Sequence, residues 1–160
     1  MGDKPTAEET RLWQTRLAAQ ANNRAWALSE AISRSAAEDE DMLQAAHAAM
    51  YFWRCVGDDR QQAHAAQLLA HVYAHLDLAQ PARHYLDKSA LVFQQLPGDP
   101  WEQALAQAVA ANVAAAAGER ALHVRHHQEA TRLTAELADD EERAIVNATL
   151  HAIAKPGDAG

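Results

Sequence analysis

An all-α fold of antiparallel helix pairs is what this 160-residue chain predicts, and three observations carry the prediction. Apolar residues recur at spacings of three and four along most of its length. Capping and helix-breaking residues separate these stretches at short intervals, so that neighbouring helices run antiparallel. No stretch alternates apolar and polar residues as a half-buried strand does. Alanine makes up much of the 49% hydrophobic content. It loses no side-chain entropy in a helix, and its small side chain lets helices approach closely. The burial energy then rests on a few large side chains: Trp13, Trp26, Trp53, Trp101, Phe52, Phe93, Tyr51, Tyr73 and Tyr85.

Seven or eight helices are expected, in one domain over residues 8–154, with flexible segments at 1–7 and 155–160. Glu8 and Glu9 suit the start of a first helix, where the aligned peptide dipoles favour negative charge, and Leu12, Trp13 and Leu17 supply its apolar face. Asn22-Asn23 interrupts the pattern, so a separate second helix is expected over about Arg24–Ala36. The acids Glu38 to Asp41 mark the next start. Met42, Ala46, Ala49, Met50 and Trp53 share one stripe, which Gly57 ends in a left-handed cap. Asp58 or Asp59 caps the following helix, whose stripe is Ala65, Leu68, Leu69, Val72, Tyr73 and Leu76. Pro81 sits in the first turn of the next helix, which carries Tyr85, Leu86 and Phe93. Pro97-Gly98-Asp99-Pro100 is a break, with Asp99 as cap and Pro100 in the new first turn. Leu105, Val109, Asn112 and Val113 follow. Gly118 divides the alanine-rich stretch, a helix runs over Glu119–Leu137, and the last helix carries Ala144, Ile145, Ala148 and Ile153 before Pro156-Gly157.

Asp58, Asp99 and Asp140 stand 41 residues apart, each between two helical patterns. A two-helix period of this kind is the signature of a stacked helical repeat. The residues from Ala66 to Ser89 resemble a tetratricopeptide repeat of the longer kind. Ala66 stands where the first helix usually has tryptophan. Leu69-Ala70 and Tyr73 match the leucine-small pair and the tyrosine, and Ala82, Leu86 and Ser89 match the second helix. A partial second match runs from Leu105 through Val109 and Asn112 to Ala121. The resemblance implies a tetratricopeptide-like right-handed superhelix that binds a protein or peptide in a groove. It supplies no catalytic residues, and the basic-and-asparagine pattern of a carboxylate clamp is missing.

The net charge of −8 and the dispersed basic residues argue against nucleic acid and against anionic membrane surfaces. A lone cysteine, Cys55, permits no internal disulfide. Neither an apolar leader nor a membrane-length apolar run is evident, so a cytoplasmic protein is expected. No motif requires a cofactor. Ser29, Ser33, Ser35 and Ser89 lack a nucleophile elbow, and no glycine-rich phosphate loop precedes a helix.

Histidine is the most suggestive chemistry, with nine in the chain. His71 and His75 are four apart and share a helix face, a spacing open to two metal ligands. His123 and His127 form a second such pair, with Glu119 one turn earlier. Neither pair belongs to a His-Glu-x-x-His motif. Three consecutive aromatics, Tyr51 to Trp53, cannot all face one core, because each residue turns the helix by about 100°. Tyr51, Phe52, Arg54 and Tyr73 are therefore the expected partner contacts, since aromatic anchors contribute strongly to recognition. The sequence reads as a non-catalytic scaffold with no cofactor. A metal-binding or enzymatic bundle using the histidines is one alternative, and an oligomerisation domain, self-associating into a homo-oligomer, is another.

Overall fold

Capping side chains set most of the helix boundaries. In the computed structural model, which describes residues 4–157, Thr6 caps α1 (Ala7–Ser29). Its hydroxyl accepts from the Glu9 N–H, while the Glu9 carboxylate accepts from the Thr6 N–H. The same reciprocal pair, Ser35 with Glu38, opens α2 (Ala36–Val56), and Asp58 with Gln61 opens α3 (Asp59–His75). Each pair satisfies two N–H groups that a helix start leaves orphaned. Asp77, in a left-handed conformation at φ 56 that aspartate tolerates, turns the chain into α4 (Ala79–Gln95). Pro100 is the first residue of α5 (Pro100–Ala116), where its missing N–H removes no helix bond. α6 (Arg120–Glu136) and α7 (Asp140–Ala152) follow, α7 capped by Asp139. Among the described residues all seven regular elements are helices. Of the terminal segments expected to be flexible, residues 1–3 and 158–160 lie outside the described residues.

Two local expectations are corrected. The first two expected helices are one, because α1 runs unbroken through Asn22 and Asn23. Asparagine in a helix interior costs at most about 0.7 kcal/mol, and the buried positions Ala18, Ala25, Leu28 and Ser29 continue one face across it. Gly57 is not a left-handed cap but extended, with φ −88 and ψ 166. Glycine is needed there for space instead, since a Cβ would lie 2.7 Å from the Trp53 carbonyl oxygen.

The helices pack as successive hairpins, α1 with α2, α3 with α4 and α5 with α6, with α7 closing the array. Each hairpin meets the next in a regular way. The odd-numbered helices contact one another in sequence, α1 to α3, α3 to α5 and α5 to α7. Each even-numbered helix packs on the odd one that follows it, and no even-numbered helix packs appreciably on another among the described residues. The 41-residue period is visible in the starts of α3 and α5, at Asp59 and Pro100, and of α4 and α6, at Ala79 and Arg120.

Three apolar clusters follow the chain. The first lies between α1, α2 and α3 around Met42, Leu68, Leu69 and Val72. The second joins α3, α4 and α5 through Ala70, Ala82, Val109 and Val113. The third holds α5, α6 and α7 around Leu105, Ala130, Val146 and Leu150. Trp26 packs against all three. Small residues set the close approach of α3 and α4: Ala66, Ala70, Ala82 and Ser89 are all buried. No helix of the described residues is long and apolar enough to cross a membrane.

Candidate functional site

Where the odd-numbered helices converge they leave a cleft of about 390 Å³. From α1 and its C-terminal cap come Asn22, Asn23, Trp26 and Glu30. Facing them are His64 of α3, Trp101 and Leu105 of α5, and Ile145 and Thr149 of α7. An apolar lining with a few polar groups is how ligand clefts are usually built. Ile145 is 49% exposed, and Glu30, four residues after Trp26, is an exposed residue whose carboxyl is partly buried. Burial raises the Glu30 carboxyl above the ordinary carboxylate range.

One wall of the cleft is fixed by an ionic cluster. Glu102, almost fully buried in the first turn of α5, accepts from His64 Nε2–H at 2.6 Å and from the Asp99 N–H at 2.6 Å. Arg60 donates to both of its oxygens, from Nη2 and Nε. Burial pushes the Glu102 carboxyl upward, but Arg60, the Asp99 N–H and His64 together outweigh it and hold the group below its usual range. The cluster ties α3 to α5 and orients His64, whose ring lies parallel to that of Trp101 at 6.3 Å between centroids and edge-on to Phe93 at 5.0 Å.

Deeper along the same helix face lies the histidine pair singled out from the sequence. His71 is completely buried. Its ring sits 5.2 Å from the indole of Trp26, centroid to centroid. Asn112 Nδ2 lies 3.3 Å from the His71 carbonyl oxygen and 3.1 Å from His71 Nδ1. A carbonyl only accepts, so the nitrogen of the Asn112 amide must point there, and His71 Nδ1 must accept as well. Neutral His71 therefore carries its proton on Nε2 and donates it to His75 Nε2, 3.1 Å away. His75 in turn carries its proton on Nδ1. Burial, the neighbouring His75 and Arg34 hold His71 well below the usual histidine range. Burial and Arg34 lower His75 to about 4. Both rings are neutral at neutral pH and spend their facing nitrogens on each other.

The second pair is separated by its bonding. His123 donates Nε2–H to the Ala154 carbonyl at 2.8 Å. The His127 ring stands edge-on to it, 6.2 Å away. Glu119 is ion-paired with Arg83 instead of facing them. Among the described residues no three His, Cys, Asp or Glu side chains are grouped to hold a metal ion.

The expected partner contacts lie elsewhere, towards α2 and α4. Arg54 lines a second cleft of about 320 Å³, walled by Met50 on α2 and by Tyr85 and Lys88 on α4, with Ala63 and Ala66 of α3 as its floor. Tyr73 is half-buried; its hydroxyl is hydrogen-bonded to His47 Nε2 at 2.7 Å, and its ring is parallel to Tyr85 at 5.9 Å. Tyr51 is 60% exposed and packs edge-on against Phe52. Of the four, only Arg54 lines this cleft; Tyr73 packs on Tyr85 behind it, and Tyr51 and Phe52 lie outside it. Sequence reasoning missed Trp26, Arg60, Glu102 and Asn112 as site residues. One signal was available for Asn112, since the 41-residue period carries His71 onto it. Comparison with protein-family models, curated proteins and solved structures gives no match to this chain.

Proposed function

We propose that the chain is a non-catalytic, tetratricopeptide-like scaffold that receives a peptide segment of a partner protein in the cleft between its odd-numbered helices. One observation carries the reading. The first helix of each of three successive hairpins and the closing α7 contribute to a single cleft that combines indole and aliphatic surface with amide groups at Asn22 and Asn23. The repeat reading is supported by the 41-residue spacing of helix starts and by the sequential contacts of odd-numbered helices. The ionic groups of the α3–α5 wall are committed to one another, Glu102 to Arg60 and His64, which suits a rigid binding surface better than acid–base chemistry. The test is selection from a displayed peptide library, repeated with Ile145→Arg and with Arg54→Ala. Selected peptides lose binding to Ile145→Arg and keep it with Arg54→Ala. Peptides that ignore Ile145→Arg, or a library that yields none, overturn the reading.

Self-association is a second reading, favoured by Trp13 and Leu17. They are one turn apart on α1 and 59% and 41% exposed. A sedimentation-equilibrium mass equal to one chain, unchanged in Trp13→Ser, would exclude it.

A further inference from the structure

We infer that the cleft selects a basic segment, seating an arginine or lysine side chain against the Trp26 and Trp101 indoles with its charge on the Glu30 carboxylate. The inference rests on the peptide-binding reading above and adds the chemistry of the partner. No lysine or arginine lines the cleft. Glu30 forms no ion pair among the described residues, so its carboxylate is left for a ligand. Arg60, on the cleft wall, is already neutralised by Glu102, and Arg34, which reaches the Leu28 carbonyl, is neutralised by Asp39. Indole faces are electron-rich, and they attract guanidinium and ammonium groups.

The charge continues beyond the cleft. Glu141 and Glu142 precede Ile145 by four and three residues on α7, which places them on its side of the helix. Neither has an ion-pair partner among the described residues; the arginine beside them, Arg143, is bonded to Asp140. One carboxylate at the end of α1 thus lines the cleft, and two in the first turn of α7 lie on the helix side that carries Ile145 into it. Several carboxylates at separate positions suit several basic residues along a chain, whereas a free amine would use one. An acidic segment would meet like charge at every one of these positions. A neutral segment would cover Glu30 and leave its charge unpaired, which is costly. The net charge of −8 steers a basic partner towards the molecule as a whole,.

Three fluorescein-labelled peptides of equal length, alternating leucine with arginine, glutamate or serine, supply the test. Their binding to the full chain is followed by fluorescence anisotropy at about 150 mM salt, where the screening length is about 8 Å. The arginine peptide binds at least about tenfold more tightly than the other two. Glu30→Gln weakens it about threefold and Glu30→Gln/Glu141→Gln/Glu142→Gln about tenfold, the sum of exposed ion pairs. The serine peptide is unaffected by these changes. All three carboxylates are surface groups, and a circular-dichroism melt confirms that the variants remain folded. Neutralising Glu8, Glu40 and Asp87, which lie outside the cleft, leaves binding within about twofold. If that control loses as much affinity as the cleft variant, attraction is general and the inference falls. If the serine or glutamate peptide binds as tightly as the arginine peptide, the inference falls while peptide binding stands. If no peptide binds, both fall.

Discussion

Trp26→Ala should destabilise the protein far more than its partly exposed position implies. The indole is shared by all three apolar clusters and covers the ring of His71. A tryptophan buries on the order of 200 Å², which at about 25 cal/mol per Å² corresponds to about 5 kcal/mol. The cleft already exposes part of the ring, and water can fill the space that truncation opens, so the expected loss is about 3–4 kcal/mol. With a urea slope of about 2 kcal/mol per molar, the midpoint falls by about 1.5–2 M. Trp13→Ala is the control: its side chain is 59% exposed, and its loss should stay within about 0.5 kcal/mol. Urea titrations followed by circular dichroism measure both. Hydrogen exchange adds the spatial test, because loss of a shared contact should lower protection in α1 and in α5 to α7 together. A Trp26→Ala midpoint within error of Trp13→Ala would refute the reasoning.

Three other predictions follow from the packing. His75 titrates near 4 when folded but near 6.5 when unfolded, so the unfolded chain takes up its proton first as pH falls. Its contribution of about 3 kcal/mol is present above pH about 6.5 and is lost progressively towards pH 4; melting temperatures over this range should fall less steeply in His75→Gln than in the parent. Gly57→Ala should cost about 1–3 kcal/mol by crowding the Trp53 carbonyl and the Gln61 side chain,. Gly118→Ala, at φ +70 with open space around it, should cost only about 1 kcal/mol, and equal losses in chemical denaturation would contradict the distinction. Gln67 Oε1 is buried without a hydrogen-bond partner, so Gln67→Met should stabilise by about 1 kcal/mol, and a lower melting temperature would mean that the oxygen is satisfied.

Helix boundaries were legible wherever one residue type settles the local chemistry. Asp58, Asp99 and Pro100 do so through capping and a fixed φ, and all three stand where expected. Asn22-Asn23 misled because an amide can end a helix or sit within it at little cost. What decides is the packed face that continues from Ala18 to Leu28, which is tertiary information. The site was less legible. The spacing of His71 and His75 implied a shared face, and their nitrogens do meet. The side chains that decide what the pair can do arrive from elsewhere, Trp26 from α1 and Asn112 from α5. Likewise, Glu102 serves as a capping residue for α5 and only the neighbouring hairpin makes it the partner of Arg60 and His64.

Most of the buried polar groups divide by layer, the exceptions being Ser29 of α1, which bonds within its own helix, and His123 of α6, which reaches the Ala154 carbonyl. Ser89 and Thr134, on α4 and α6, return their hydroxyl hydrogens to carbonyls of their own helices. Such bonds are local and tie no helix to another. On the odd-numbered helices the pattern changes: His71 meets Asn112 of the next hairpin, and Glu102 meets Arg60 and His64 of the previous one. Gln67 and Thr149, two periods apart, each bury an oxygen with no partner. A core selected for stability alone would place alanine or leucine at these positions, as the chain does at Ala108 between them. Buried polar side chains cost free energy unless bonded, yet here they recur on the helices that form the Trp26–Trp101 cleft. Cross-hairpin bonds tie α3 to α5 beside the cleft. The polar layer thus joins successive odd-numbered helices beside the Trp26–Trp101 cleft, while alanine-rich contacts hold the paired helices together.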